Sequence, residues 1–254
     1  MKVCVSLPVK DVSSVKNHVE YAIREGADYI ELRFDYADTH TDTSDIIDAL
    51  YHYHYYHKDR MIFTCRRSDE GGMYRGSEYE RLSIIKRLAS LKPMLVDLEY
   101  KTILENRGFY DQLVALNTSI LVSYHDFEST PRVDDMLTLV REMRSYSSRV
   151  KLVTRAESIE DNDKIVELYR CINDSGMKIE LIAFCMGEYG TVSRVICALL
   201  GSPFTYASLV ESVAPGQLTL REMRGIYAAI PANYSYTEDR SRLLRLISDV
   251  RRVR

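Results

Sequence analysis

The chain has 254 residues, of which 46% are hydrophobic, and a formal net charge of −3 at pH 7. This length and apolar fraction suit one large α/β domain with a substantial core. The near-neutral charge gives no electrostatic reason to expect nucleic acid or an anionic membrane surface as a partner, and no stretch reaches the roughly 18 apolar residues of a membrane-spanning helix.

Five cysteines are scattered along the chain without a CxxC pair, mostly inside apolar runs. An odd, dispersed set argues against a disulfide framework and is typical of buried, reduced thiols. The first apolar run, Val3 to Leu7, is interrupted by Ser6 and stopped at Pro8, so it is too short for a signal peptide. We therefore expect a soluble, cytoplasmic protein.

Short β-rich runs alternate with amphipathic helical stretches along most of the chain. The eight candidate strands begin near Val3, Tyr29, Met61, Met94, Ser119, Arg149, Lys178 and Phe204. Apolar residues spaced by three and four mark helical faces between them, at Val12, Val15, Val19 and Ala22, at Leu82, Ile85 and Leu88, at Met136, Leu139, Val140 and Met143, and at Ile165, Leu168, Tyr169 and Ile172. Because this alternation implies parallel strands with right-handed crossovers, we predict a single (β/α)8 TIM barrel, the catalytic domain, in residues 1–230.

The pattern changes after Ile230. Residues 231–254 are predicted to form an additional C-terminal helix, with an apolar side of Leu243, Leu246, Ile247 and Val250 and with arginines around the rest. We expect this extension to pack on its own barrel or on a second subunit. The alternative is a basic tail that contacts an anionic partner.

Several predicted strands carry polar residues that share one face. Side chains two residues apart on a strand point the same way, so Glu31 and Arg33 face the barrel lumen if their apolar neighbours face the helices. The same alternation places further polar groups in the lumen, namely Ser6, Thr64 with Arg66, Asp97 with Glu99, Ser123 with His125, and Lys151. Buried charges are costly unless paired, and barrel enzymes keep their chemistry at the carboxyl ends of the strands. The pattern therefore predicts an active site there.

A lysine among apolar strand residues suggests a nucleophilic amine at Lys151. An amine attacks a carbonyl as the free base, and burial beside cationic groups favours that form. The candidate cationic neighbours are Arg33, Arg66 and Arg194. The alternative is a structural ion pair of Lys151 with a lumen carboxylate, which could be Glu31, Asp97 or Glu99.

His125 ends the predicted fifth strand and is the only histidine beyond residue 57. Such a histidine is either a hydrogen-bonded core residue or a general acid/base, since its side chain titrates near neutral pH.

Two other motifs give weaker indications of function. The three histidines between residues 51 and 57 do not converge on one face of a helix, and no GxxxxGK[ST] or GxGxxG loop is present. We expect no metal, no organic cofactor and no phosphorylated substrate.

These motifs together resemble type I 3-dehydroquinate dehydratase, the Schiff-base-forming enzyme of the shikimate pathway. The resemblance extends to about Ile230 and keeps the family's order of motifs. The matching segments are Val5-Ser6-Leu7, Glu31-Leu32-Arg33-Phe34-Asp35, Phe63-Thr64-Cys65-Arg66, Glu70-Gly71-Gly72, Asp97-Leu98-Glu99, Ser123-Tyr124-His125-Asp126-Phe127, Thr130-Pro131, Val150-Lys151, Gly190-Thr191-Val192-Ser193-Arg194 and Ala214-Pro215-Gly216-Gln217.

The resemblance implies that Lys151 condenses with the C3 ketone of 3-dehydroquinate and that His125 shuttles protons, with Glu70 as a supporting carboxylate. It implies that Arg194 pairs with the substrate carboxylate through its planar fork. The other implied substrate-binding residues are Ser6, Glu31, Arg33, Arg66 and Gln217. A homodimer is likewise implied by the family.

One departure from the family pattern lies at Val213, where relatives usually have serine; Ser212 precedes it. Loss of one hydroxyl contact to substrate would cost on the order of 1 kcal/mol. Two alternative functions are compatible with a TIM barrel of this kind. A class I aldolase would also use Lys151, although it would usually need a phosphate or open-chain sugar site, and a catalytically silent binding barrel would be expected to have lost the lysine or the histidine.

Overall fold

The computed structural model describes residues 1–37, 45–48, 50, 57–209, 216–231 and 234–252. Its strands are β1 (Val3–Pro8), β2 (Tyr29–Arg33), β3 (Met61–Thr64), β4 (Leu95–Glu99), β5 (Ile120–His125), β6 (Arg149–Arg155), β7 (Glu180–Met186) and β8 (Thr205–Ala207). The helices with defined bounds are Val12–Arg24, Glu78–Ser90, Tyr100–Glu105, Arg107–Ala115, Val133–Arg144, Asp161–Asp174, Thr191–Ile196, Leu220–Ala229 and Tyr236–Arg252. Residues 45–48 are also helical.

The eight strands form one parallel sheet in the order β7-β6-β5-β4-β3-β2-β1-β8. Each strand begins within two residues of its predicted start, and helices separate the strands, so the predicted (β/α)8 barrel is confirmed. The barrel is not fully closed by hydrogen bonds: in the described part of the chain no ladder joins β7 to β8, the two ends of the sheet. At this seam, the rings of Phe184 on β7 and Tyr206 on β8 lie 6.1 Å apart.

A tight loop contact above the seam brings the segments after β7 and β8 together. Gly216 has a left-handed φ of 77°, and a Cβ built there would lie 1.9 Å from the carbonyl oxygen of Gly187. The Thr191 hydroxyl donates to the Gly216 carbonyl at 2.9 Å. Because only glycine permits this φ and this approach without strain, Gly216 fixes where the chain before Gln217 passes.

The helices bury the apolar faces that their spacing predicts. Ile165, Leu168 and Ile172 are at most 4% exposed. The helix Glu78–Ser90 begins with a capping box in which Ser77 and Glu80 satisfy each other's backbone N–H groups. No helix in the described ranges is both long enough and apolar enough to cross a membrane.

The helix Tyr236–Arg252 contacts the barrel of its own chain. Leu243 is fully buried and Ile247 is 6% exposed. The Tyr236 hydroxyl and the Arg240 guanidinium both donate to the Asp163 carboxylate, each at 2.9 Å. This end of the chain is therefore held by apolar burial and by one shared acidic residue.

Candidate active site

Polar side chains fill the barrel lumen toward the carboxyl ends of the strands. Seven of them are at most 5% exposed, namely Glu31, Thr64, Arg66, Asp97, Glu99, Ser123 and Lys151. All seven belong to the polar face that strand alternation predicts. Because buried ionisable groups must be paired or neutralised, their partners decide what the site can do.

Lys151 lies on β6 and is held by two carboxylates. Its Nζ donates to Glu31 Oε1 at 3.4 Å and to Asp97 Oδ2 at 3.2 Å. The same Nζ lies 4.4 Å from the centre of the Tyr206 ring. The amine therefore sits between two acidic groups and an aromatic face, and the ion pair that the sequence left open is present with Glu31 and Asp97.

Glu31 accepts hydrogen bonds from three donors, two on the neighbouring strands β1 and β3 and one on β6, which is not adjacent to β2 in the sheet. The Ser6 hydroxyl donates to Oε2 at 2.6 Å, and the Thr64 hydroxyl donates to Oε1, which also accepts from Lys151, at 3.0 Å. Burial acts to raise the pKa of Glu31, but the nearby charges of Lys151 and Arg33 outweigh it and lower that pKa. Ser6 is thus connected to Lys151 through its hydrogen bond with Glu31.

Arg66 follows β3 and crosses the lumen to β4 and β5. Its guanidinium pairs with Asp97 at 2.7 Å and with Glu99 at 3.1 Å, and it donates to the Ser123 hydroxyl at 2.6 Å. Burial acts to raise the pKa of Asp97, whereas Arg66 and Lys151 together lower it to about 2. Asp97 therefore remains ionised and links Arg66 to Lys151.

Arg33, unlike Arg66, pairs with a carboxylate only two residues away in the sequence. Its guanidinium forms two parallel bonds with Asp35, at 2.8 and 2.7 Å, and its side chain is 19% exposed. Asp35 also accepts from the backbone N–H groups of Arg66 and Met73, at 3.2 and 3.1 Å. Arg33 is thus fixed at the rim by a carboxylate that also orders the loop after β3.

His125 ends β5 and pairs with Glu70 from that same loop. Glu70 Oε2 accepts from the His125 backbone N–H at 3.1 Å and lies 3.0 Å from the ring Nδ1. Glu70 ends a short 3-10 turn that closes at Gly71, where φ is 77° and a Cβ would lie 2.3 Å from the Phe127 ring. The packing of Phe127 on Gly71 therefore helps to position the carboxylate under the histidine.

Burial shifts both members of this pair toward their neutral forms. It raises the pKa of Glu70 to about 7, although Arg66 opposes the shift. Burial also lowers the pKa of His125 well below its usual value, and the charges of Arg66 and Lys151 act in the same direction. A neutral imidazole that contacts a carboxyl titrating near neutral pH is suited to accept and return a proton.

Arg194 and Gln217 carry buried polar atoms that have no hydrogen-bond partner among the described residues. These atoms are Arg194 Nε and Gln217 Oε1, and the two residues are 7% and 9% exposed. The Arg194 guanidinium lies 4.3 Å from the centre of the Phe184 ring and forms no ion pair with any described residue. Burial lowers the pKa of Arg194 to about 10. A buried guanidinium of this kind is suited to bind an anionic ligand.

Tyr206 was absent from the set of polar residues predicted to face the lumen. An aromatic residue in a short strand resembles ordinary core, and the signal that could have revealed it is the alternation from Phe204, which puts both rings on one side. Residues 210–215, with Ser212, Val213, Ala214 and Pro215, lie outside the described part of the chain, as do the histidines at 52 and 54. Among the described residues, no three His, Cys, Asp or Glu side chains are grouped to hold a metal ion.

The chain matches the family described as type I 3-dehydroquinase over residues 3–233. It is 36% identical to the 3-dehydroquinate dehydratase of Dehalococcoides mccartyi over 231 residues, which cover 89% of this chain and 94% of that protein. The 3-dehydroquinate dehydratase of Desulfotalea psychrophila is 34% identical, over 91% of this chain and 98% of its own.

Solved structures agree with this match. The 3-dehydroquinate dehydratase from Aquifex aeolicus VF5 superposes with a TM-score of 0.72 at 28% identity, over 88% of this chain and 96% of that one. The enzyme from Geobacillus kaustophilus HTA426 has the same fold, with a TM-score of 0.77 at 23% identity over 90% of both chains.

Proposed function

The chain belongs to the type I 3-dehydroquinase family and is a hydro-lyase of the shikimate pathway that converts 3-dehydroquinate to 3-dehydroshikimate and water; we propose that it does so through a Schiff base on Lys151. The family assignment replaces the aldolase and binding-barrel alternatives. The observation that carries the proposed mechanism is a buried amine in the lumen together with a histidine and carboxyl pair.

In the proposed first step, the Lys151 amine adds to the C3 ketone. The ammonium must first lose a proton, and the carboxylates of Glu31 and Asp97 lie within hydrogen-bond distance of Nζ. A C–N bond forms, the carbonyl oxygen becomes a hydroxyl, and its departure as water leaves an iminium ion. The two protons that the ammonium loses are the two that this oxygen gains.

His125 is proposed to move the proton that makes the elimination proceed. The iminium draws electrons from the C2–H bond, so that proton becomes acidic, and His125 accepts it. The electron pair then forms the C1–C2 double bond as the C1 hydroxyl leaves with the proton that His125 returns. Glu70 at Nδ1 supports this role, because an ionised carboxylate there orients the ring and stabilises the imidazolium.

Arg194 is proposed to bind the substrate carboxylate. Its buried guanidinium has no acidic partner in the described chain, and a carboxylate would accept two parallel bonds from it. We propose that Gln217 bonds the substrate from the loop held by Gly216. The other proposed substrate-binding residues are Ser6, Glu31, Arg33 and Arg66. They would hold the ring hydroxyls of the substrate, either directly or by positioning a side chain that does.

The test combines turnover with trapping of the imine. Purified protein is given 3-dehydroquinate, and the conjugated enone of the product is followed by its absorbance. Borohydride added with substrate should attach one ligand mass to the peptide that contains Lys151. Lys151→Ala should abolish trapping and turnover, whereas the exposed Lys86→Ala should match the wild type in both.

His125→Ala separates proton transfer from imine formation. The amine is still present in this variant, so adduct should form on Lys151, while elimination should fall by at least about a hundredfold, the usual effect of losing a positioned acid/base. Trapping on another lysine, with Lys151→Ala still active, would reject the assignment.

We also propose a cytoplasmic location, a homodimer and a division at about residue 230 into a catalytic barrel and a C-terminal extension. The location is supported by five cysteines that form no disulfide, four of them buried. The division is supported by the family match, which ends at residue 233. The homodimer rests on the family resemblance and is tested by light scattering after size-exclusion chromatography.

A further inference from the structure

The hydroxyl of Tyr206 is a buried polar group that the mechanism above does not use. Tyr206 lies at the centre of β8, opposite Cys4 on β1, and is 4% exposed. Its ring packs against Phe204 and Phe184, with centroids 5.6 and 6.1 Å away. The hydroxyl oxygen itself has no hydrogen-bond partner in the part of the chain that the structure describes. Since a buried hydroxyl without a partner destabilises the fold, this one is expected to bond a group that enters the lumen.

The position of the ring next to Lys151 indicates which group that is. Nζ lies 4.4 Å from the centre of the Tyr206 ring, and both of its hydrogen-bond partners among the described residues are carboxylates, which accept hydrogen bonds and do not donate them. The hydroxyls and guanidinium around these carboxylates donate to them or to each other already, as Thr64, Ser123 and Arg66 do. Tyr206 therefore offers an uncommitted donor beside the amine.

We propose that the Tyr206 hydroxyl holds the oxygen atom that leaves as water when the Schiff base on Lys151 forms, and holds the water molecule that adds to the imine when it is hydrolysed. This inference rests on the proposed function of Lys151. The donor bonds the ketone oxygen as Nζ approaches, stays on the hydroxyl of the addition intermediate and then on the departing water. It supplies no proton to the balance, because the ammonium provides both protons of that water.

Two further observations agree with a donor role. Burial raises the pKa of Tyr206 well above its usual value, and the nearby carboxylates of Glu31 and Asp97 add to the shift, so the hydroxyl keeps its proton at neutral pH. The rings of Phe184 and Phe204 pack against the tyrosine ring, with centroids 6.1 and 5.6 Å away, and so restrict the orientation of its hydroxyl.

Oxygen exchange tests this step apart from elimination. The product, 3-dehydroshikimate, is incubated with enzyme in ¹⁸O-labelled water, and mass spectrometry follows the label entering its ketone above the rate without enzyme. Each label enters through one cycle of imine formation and hydrolysis. Tyr206→Phe should slow this exchange about tenfold, the effect of losing one or two hydrogen bonds in the transition state. The control Tyr227→Phe, which removes a hydroxyl bonded to the Val195 carbonyl at 2.9 Å, should exchange at the wild-type rate.

Borohydride quenching then shows which step has slowed. Adducts of substrate and product on Lys151 differ by the mass of one water, so their ratio over time reports elimination within the adduct. Tyr206→Phe should leave that rate unchanged. The variant removes a buried polar atom that has no partner among the described residues, so its thermal midpoint should be no lower than that of the wild type.

Exchange at the wild-type rate in Tyr206→Phe, or a loss confined to elimination, would overturn the inference. Exchange by the wild-type enzyme no faster than in its absence would instead reject Lys151 as the nucleophile.

Discussion

One oxygen of Glu70 makes both of its contacts with His125. Oε2 accepts from the backbone N–H at 3.1 Å and lies 3.0 Å from Nδ1, while Oε1 is buried and has no partner among the residues with a described structure. The carboxyl is therefore only partly solvated by the protein, and burial raises its pKa to about 7. The proton distribution between these two residues should govern both activity and stability.

Activity should rise with pH through about 7. Above that pH, ionised Glu70 accepts the Nδ1 hydrogen of His125 and leaves Nε2 free to take the C2 proton; below it, the protonated carboxyl cannot stabilise the imidazolium. Glu70→Gln should lower the plateau of kcat/KM on the order of a hundredfold and remove the limb near pH 7. Enone formation between pH 5.5 and 9 measures this. An unchanged limb in Glu70→Gln would assign it to another group.

The same pair predicts opposite pH dependences of stability in two variants. Taking 4.5 and 6.5 as the unfolded pKa values of Glu70 and His125, the unfolded pair carries one proton on His125 between these pH values, and the folded pair carries one on Glu70. Their contributions to the pH dependence of unfolding therefore cancel there. In Glu70→Gln the unfolded state binds the extra proton, so stability should fall as pH drops below 6.5, by up to about 1.4 kcal/mol per unit.

In His125→Asn the folded state binds the extra proton, so stability should rise as pH drops from about 7 toward 4.5. Urea unfolding at pH 5.0 and 7.5, each relative to wild type, measures both slopes. Variants that both follow the wild type would show that the pair is not shifted in the folded protein.

Arg194→Met should weaken substrate binding and stabilise the fold. Removing a buried guanidinium without an acidic partner should raise the free energy of unfolding by about 1–4 kcal/mol. Loss of two charge-assisted bonds to the substrate carboxylate should lower kcat/KM by at least about a hundredfold. Product should raise the thermal midpoint of the wild type but not of the variant. Arg194→Lys keeps the charge and loses the fork, so intermediate values are expected, and unchanged KM in Arg194→Met would remove this residue from the carboxylate site.

The contact between Gly216 and Gly187 predicts a defect at Gln217. Gly216→Ala forces the loop away from the Gly187 carbonyl, so it should raise KM in the same direction as Gln217→Ala. Gly26→Ala is the matched control, because φ is 85° there but no atom lies within 4 Å of the added Cβ. It should affect stability alone. A wild-type KM for Gln217→Ala would place this loop outside the site.

Activity should not depend on a metal ion, because in the proposed mechanism the iminium supplies the electrophile. Dialysis against EDTA followed by the enone assay should leave kcat and KM unchanged. Activity that is lost on dialysis and restored by zinc or another divalent ion would require a different mechanism.

Strand alternation was sufficient to predict the barrel and most of its lumen. Glu31, Asp97 and Lys151 fall on one face because the period of a strand is two, and the register of the strands brings them together. Alternation could not decide between the two environments considered for Lys151. In the structure the amine contacts the carboxylates of Glu31 and Asp97, whereas Arg33 pairs with Asp35, two residues further along the chain.

Residues on loops lay beyond that reasoning. Glu70 is separated from His125 by 55 residues and belongs to a turn whose shape depends on Gly71 and Phe127, so only the family resemblance indicated it. Tyr206 was missed for a different reason. Alternation from Phe204 indicates the side of the strand on which its ring lies, but only three-dimensional packing shows that its hydroxyl has no partner among the described residues.

The charge balance of the lumen limits how this site can change over evolutionary time. The lumen cations Arg66 and Lys151, together with the buried Arg81 on the helix Glu78–Ser90, form ion pairs with three buried anions, Glu31, Asp97 and Glu99. Removal of one partner from a buried ion pair typically destabilises a protein by about 3–5 kcal/mol, a large part of its total stability. Single substitutions in this set are therefore purged before a second can compensate. New specificities in this lineage are expected to arise at the rim and in the loops, while the six interior charges are inherited as one unit.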